Sequence, residues 1–100
     1  MTEIRVAALY HFAKLDDYRD MQAPLQEKCL SEDIMGTLLL AKEGINGTIA
    51  GSPKGVANVL AYIRADSRLS NLVHKESYAD EPPFLRMKVR LKKEIVTKNF

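Results

Sequence analysis

Between Leu38 and Gly51 the chain reads LLLAKEGINGTIAG, and this stretch restricts the possible folds more than any other. Three consecutive leucines and an alanine are apolar on both faces, which suits a buried strand better than a half-exposed one. The run then breaks. Glu43-Gly44 and Asn46-Gly47 supply positions where positive φ is cheap, so the chain is predicted to reverse there and return as a second strand from Thr48 to Gly51. The result is a β-hairpin whose loop carries Lys42, Glu43 and Asn46 beside Ile45. Such a tip is either a contact surface or a glycine-shaped turn with solvated side chains, and composition leaves both readings open.

A buried hairpin needs partners, and the flanking sequence supplies them. Ile4 to Phe12 alternates as a strand, with Ile4, Val6, Ala8, Tyr10 and Phe12 predicted to face the core and Arg5, Ala7, Leu9 and His11 to face away. Asp16 or Asp17 then caps a helix to about Asp33, its stripe being Tyr18, Met21, Leu25 and Cys29. Pro24 either bends this helix or divides off its first turn. Ser52 as N-cap and Pro53 in the first turn open a second helix to about Asp66, with Val56, Val59, Leu60 and Ile63 on one face. Arg68 to Asn71 read as loop, Val73 to Tyr78 as a short edge strand and Asp80-Glu81-Pro82-Pro83 as a turn. From Phe84 to Val96 a long strand is expected, since Leu85, Met87, Val89 and Leu91 alternate with Arg86, Lys88, Arg90 and Lys92.

This order predicts an α+β fold, a ferredoxin-like βαββαβ sandwich with an antiparallel sheet and two helices on one face. One domain should span residues 1–100, a length that buries roughly 65% of the unfolded surface. In that arrangement the last strand lies beside the first, and its four bases share the helix-free face with Arg5 and His11. RNA-binding modules of similar layout present such a face but add aromatic side chains for stacking. Here the aromatics are expected to point inward, so a solvated strand face and a nucleic-acid surface both remain open.

Charge sharpens the question. Residues 1 to 33 hold seven acids and four bases, whereas residues 34 to 100 hold six acids and eleven bases. Between Phe84 and Phe100 there are six bases against Glu94 alone, a cluster that favours a polyanionic partner if presented on one face. No apolar run approaches the ~20 residues that span a bilayer, and the first residues lack a signal-peptide pattern, so a cytoplasmic protein with no membrane contact is expected. The single cysteine, Cys29, allows no internal disulfide and lies on a helix stripe, as a core thiol would. His11 and His74 show no metal-ligand spacing, and Asp16, Asp17 and Asp20 sit where capping and the helix dipole favour acids. With no phosphate-binding loop and no dinucleotide fingerprint, neither a catalytic set, a metal nor a cofactor is expected.

Two long motifs, LLLAKEGINGTIAGS from Leu38 to Ser52 and FLRMKVRLKKEIVTK from Phe84 to Lys98, resemble the N-terminal domain of the rhodanese-containing TrhO (YceA) family. These proteins are oxygen-dependent tRNA wobble-uridine hydroxylases, and the resemblance extends from Val6 to Lys98. It implies an acylphosphatase-like domain, a variant of the ferredoxin-like sandwich, followed in the parent chain by a rhodanese domain with the essential cysteine. That domain is absent here, so the resemblance implies a non-catalytic part of an oxidoreductase that acts in tRNA modification. Acylphosphatases themselves cradle phosphate in a glycine-rich loop after the first strand, with an arginine there and an asparagine on the hairpin. Residues Tyr10 to Asp17 offer neither glycine nor arginine, and Asn46 alone makes no phosphatase site. The expected task is to help bind tRNA through Lys42, Asn46, Arg86, Lys88 and Arg90. The alternative is a structural domain that packs against the rhodanese domain without touching RNA.

Overall fold

A computed structural model describes residues 3–92 of the chain. Strand β1 (Ile4–Phe12), helix α1 (Tyr18–Ser31), the hairpin of β2 (Met35–Ala41) and β3 (Gly44–Gly51), and helix α2 (Pro53–Arg64) follow the predicted order. A 3-10 turn at Ser67–Leu69 then leads to β4 (Val73–Ala79) and β5 (Met87–Leu91). The five strands form one mixed sheet in the order β4-β1-β3-β2-β5.

The C-terminal strand departs most from expectation. It does not lie beside β1. Val73–Ala79 takes that place, antiparallel to β1, while β5 joins the opposite edge parallel to β2. The predicted antiparallel sheet is therefore mixed. Residues 80–86 carry the chain from one edge to the other, a path of four interstrand gaps or about 19 Å, within the roughly 26 Å that the steps from Ala79 to Met87 can span. Pro82 and Pro83 suit this near-extended crossing, because neither can donate to a ladder. The strand also begins later than predicted, leaving Leu85 outside it and 92% exposed. The predicted end at residues 93–96 lies outside the described residues.

What holds β5 is a feature of α1 that periodicity does not signal. Gln26 Nε2 donates to the Met87 carbonyl at 2.8 Å, and Val89 N donates to Gln26 Oε1 at 2.9 Å, so one side-chain amide pairs with the strand as another backbone would. Gln22 Nε2 adds a bond to the Val89 carbonyl at 2.7 Å. Three backbone groups on the outer edge of β5 are thereby satisfied by the helix.

Both helices pack on one face of the sheet. Their buried residues, Leu25 and Cys29 from α1 and Val56, Val59, Leu60 and Ile63 from α2, join Ala7, Leu9, Leu38, Leu40, Ile45, Ile49, Met87 and Val89 in one core. This inverts the prediction for β1. Ala7 and Leu9 are buried, whereas Tyr10 is 40% and Phe12 is 52% exposed on the helix-free side. The ladder pairs Ala7 with Ile49 and His11 with Ile45, and paired residues share a face, so β1 must turn its odd positions toward the helices.

Other local expectations hold or shift by small amounts. Ser52 accepts a hydrogen bond from Gly55 N at 3.0 Å and caps α2. Pro24 is accommodated inside α1, and Asp17 stands at its N-cap position without a side-chain cap bond. The hairpin reverses over Lys42-Glu43, so Asn46 and Gly47 lie within β3 and not in the turn. Gly47, at φ 152, is needed for another reason: a Cβ there would stand 2.1 Å from the Thr37 carbonyl oxygen.

Candidate nucleic-acid interface

The ladders decide what lies on the helix-free face. One row across the sheet reads Val73, Tyr10, Asn46, Leu39 and Arg90, and the next reads Lys75, Ala8, Thr48, Thr37 and Lys88. With strands about 4.8 Å apart, Arg90 stands roughly 10 Å from Asn46 and 14 Å from Tyr10 along the row. Phe12 lies beyond Tyr10 on the same strand, their ring centroids 5.0 Å apart at an interplanar angle of 73°. No aspartate or glutamate occupies a paired position on this face. Lys75 marks one edge, Lys88 and Arg90 the other, and among the described residues none of the three pairs with a carboxylate.

Three of the five predicted site residues, Asn46, Lys88 and Arg90, are thus brought onto one face. Lys42 sits in the hairpin turn, where it lines a hollow of ≈ 560 Å³ with Phe12, Ala13, Lys14 and Glu43. Arg86 precedes β5, is exposed, and accepts a bond from Gly36 N at 2.8 Å through its carbonyl. Arg5 and His11 do not share the face, contrary to expectation. Arg5 lies on the helix side, 2.8 Å from Glu76 and stacked over Tyr78 at 4.9 Å. Reasoning from sequence misses Tyr10, Phe12 and Lys75. The signal for them is the parity of Ala7 and Leu9, legible only once β1 is registered against β3.

Several charges on the helix side are paired, in contrast. Arg64 donates to His74 Nδ1 at 2.9 Å, and because a guanidinium cannot accept, Nε2 is the nitrogen that donates to Glu76 at 2.7 Å. The hydrogen bond from His74, with the charge of Arg5, holds the Glu76 carboxyl below its ordinary pKa. Arg68 clamps Asp66 at 2.6 Å and Asp17 at 2.7 Å. Its hydrogen bond lowers Asp66 to about 2 and lowers Asp17 as well, so Asp17 has a structural partner. Cys29 is fully buried, and burial pushes its thiol up to about 11, which makes it inert at neutral pH. Among the described residues no three His, Cys, Asp or Glu side chains converge as a metal ion requires. No helix among them is long and apolar enough to cross a membrane.

The loop after β1, where an acylphosphatase holds phosphate, is already committed. Ala13 N donates to the Glu43 carbonyl at 3.0 Å and Leu15 N to that of Lys42 at 2.7 Å, so two of its amides are taken up by the hairpin. Residues 4–95 match the family model described as the UPF0176 acylphosphatase like domain. The chain belongs to this family. The expectation from the two motifs, an acylphosphatase-like domain resembling the N-terminal part of the TrhO (YceA) family, is borne out by this match and by the relatives that follow.

Among curated relatives, the tRNA uridine(34) hydroxylase of Sinorhizobium medicae is 62% identical over 92 residues, which is 92% of this chain and 29% of that protein. The tRNA uridine(34) hydroxylase of Albidiferax ferrireducens is 56% identical over 97 residues, 97% of this chain and 30% of that protein. The chain thus spans about 30% of the length of these relatives. Solved structures with a similar fold include "BlrP1 BLUF", with a TM-score of 0.72 and 16% identity over 93% of this chain and 66% of that one. "BlsA photo-activated state" gives 0.70 and 17%, covering 94% and 71%. At such identity the likeness concerns the fold alone.

Proposed function

We propose that this UPF0176 domain is a non-catalytic, tRNA-contacting part of a longer cytoplasmic tRNA uridine hydroxylase whose chemistry resides in a rhodanese domain. In fold terms, β4-β1-β3-β2 with the two helices is read as a ferredoxin-like unit to which β5 is added. The observation that carries the functional reading is the helix-free face. Its paired positions carry no carboxylate, its two edges are basic and Asn46 lies between them, so a phosphate backbone laid across the strands meets attraction. The names of the relatives supply the kind of polyanion. Lys88 and Arg90 contact phosphates in this reading, with Lys42 and Arg86 extending the basic rim.

Replacing Arg86, Lys88 and Arg90 together by glutamine tests it. Met87 and Val89 remain to pack, so stability changes little, since exposed charges contribute under about 1 kcal/mol each. Affinity for a tRNA anticodon stem-loop falls and the salt slope flattens by up to about three units. A triple change at Arg19, Lys28 and Lys54, which belong to the helices, removes the same charge elsewhere. Equal loss from both triples would reduce the effect to net charge. A second reading rests on the exposure of Phe12 (52%) and Val73 (69%), which suits packing against another part of the longer protein. It becomes the better one if neither wild type nor variants bind RNA.

A further inference from the structure

Basic edges account for phosphates, but they leave unexplained the apolar strip between them. Tyr10, Phe12 and Val73 stand exposed at one end of the helix-free face, away from the end where Pro82 lines a hollow with Glu3, Ile4, Asp33, Met35 and Ala50. A half-exposed tyrosine and phenylalanine at i and i+2 of an inner strand are costly to leave in water, and a solvated sheet face does not require them. The two rings meet nearly edge to face, so they offer stacking surfaces in two orientations. Beside them a groove of ≈ 470 Å³ is lined by Ala8, Tyr10, Asn46, Thr48, Val73 and Lys75. It is apolar on its floor, with amide and hydroxyl groups on one side and a cation on the other. Past Phe12 the second hollow adds Lys14 and Lys42, with Glu43 at its rim. Along β1 the distance from Ala8 to Phe12 is about 13 Å.

We propose that this strip is a stacking site for two or three unpaired nucleotides of an RNA loop. Bases lie on Tyr10 and Phe12, an edge of one base meets Asn46 and Thr48 in the groove, and the flanking phosphates meet Lys75 on one side and Lys14 and Lys42 on the other. The occupant is a single strand because paired bases present no face to a flat sheet, whereas splayed loop bases do. With no aspartate or glutamate at a paired position on the face, a polyanion is favoured over a neutral protein segment, which would leave Lys75, Lys88 and Arg90 uncompensated. This deepens the RNA reading above and rests on it: there the edges attract any RNA, and here the strip selects unpaired bases.

The experiment compares a single-stranded RNA heptamer with a blunt RNA stem of equal phosphate number, measured by anisotropy with wild type, Tyr10→Leu and Phe12→Leu. Leucine keeps apolar bulk at these half-exposed positions, and circular dichroism checks the fold. Single-strand affinity is expected to drop roughly 5- to 150-fold per ring with the salt slope unchanged, and stem affinity to stay within about twofold. The chain contains no tryptophan, so Phe12→Trp provides a single emitter whose fluorescence the heptamer should quench and the stem should not. If wild type binds RNA and both leucine variants bind the heptamer as well as wild type, the stacking site is overturned while the basic-edge reading survives. If wild type binds neither RNA, both fall, and the strip is a protein contact.

Discussion

Replacing Gly47 by alanine adds one carbon and should remove a large part of the domain's stability. At φ 152 the new Cβ would stand 2.1 Å from the Thr37 carbonyl oxygen, 2.8 Å from Leu38 Cα and 3.0 Å from Leu38 Cδ2. The first contact lies about 1 Å inside ordinary van der Waals separation, and its partners are backbone atoms of the adjacent strand, which cannot swing aside. Either β2 moves off β3, where Leu38 is paired to Gly47, or residue 47 changes φ and breaks the ladder. Overpacking of this kind costs about 1–3 kcal/mol, and a non-glycine residue in a sparsely populated backbone region about 1–3 more. Set against a stability of roughly 5–15 kcal/mol for a domain of this size, a loss of about 2–6 kcal/mol lowers the melting temperature by about 10–30 °C. Lys42→Ala is the comparison. Its backbone carbonyl, which accepts from Leu15 N, is retained, and an exposed turn side chain changes stability by under about 0.5 kcal/mol. Thermal and urea unfolding followed by circular dichroism measure both. Melting temperatures within about 2 °C of each other would refute the claim that the strand approach at Gly47 excludes a side chain.

The remaining predictions concern titration and the edge strand. Because the Cys29 thiol is pushed up to about 11 from 9.0, the unfolded chain releases its proton first. Stability should therefore fall as pH rises from about 9 to 11, by up to about 3 kcal/mol, and a Cys29→Ala variant should lack that part of the slope. The same burial makes labelling by a thiol reagent slow in the native state and fast in urea. Asp66, lowered from 3.8 to about 2 by Arg68, contributes stability above pH 4 that is lost as pH falls through about 2. In Arg68→Gln the acid limb of the urea-midpoint profile should flatten, by about 1 kcal/mol or less after solvent screening. Gln26→Ala removes the amide that pairs with Met87 O and Val89 N. It should cost about 1–2 kcal/mol and speed hydrogen exchange in β5 more than in β1 or β3, which uniform protection loss would contradict.

Much of this molecule is legible in local chemistry. The Ser52-Pro53 start of α2 and its stripe of Val56, Val59, Leu60 and Ile63 depend on contacts within a few residues, so the string of letters contains them. The same holds for the bounds of β1, for the glycine-studded hairpin and for the inward place of Cys29. What neighbouring residues cannot encode is which side of a strand meets the helices. A period of two is symmetric about the strand, and in β1 the apolar set Ile4, Val6, Ala8, Tyr10 and Phe12 outweighs Ala7 and Leu9, so counting favours the wrong face. Pairing of Ala7 with Ile49 settles it, and that is a contact between residues distant in sequence. The position of β5 is also nonlocal, set by a crossing of residues 80–86 and by the amides of Gln22 and Gln26, polar residues that carry no periodic signal. Of the candidate surface, the basic alternation of Lys88 and Arg90 belongs to one strand and is read directly from its letters. The tertiary arrangement is what sets those bases on one face with Tyr10, Phe12 and Lys75, because a shared face is a property of strand register and not of any single strand.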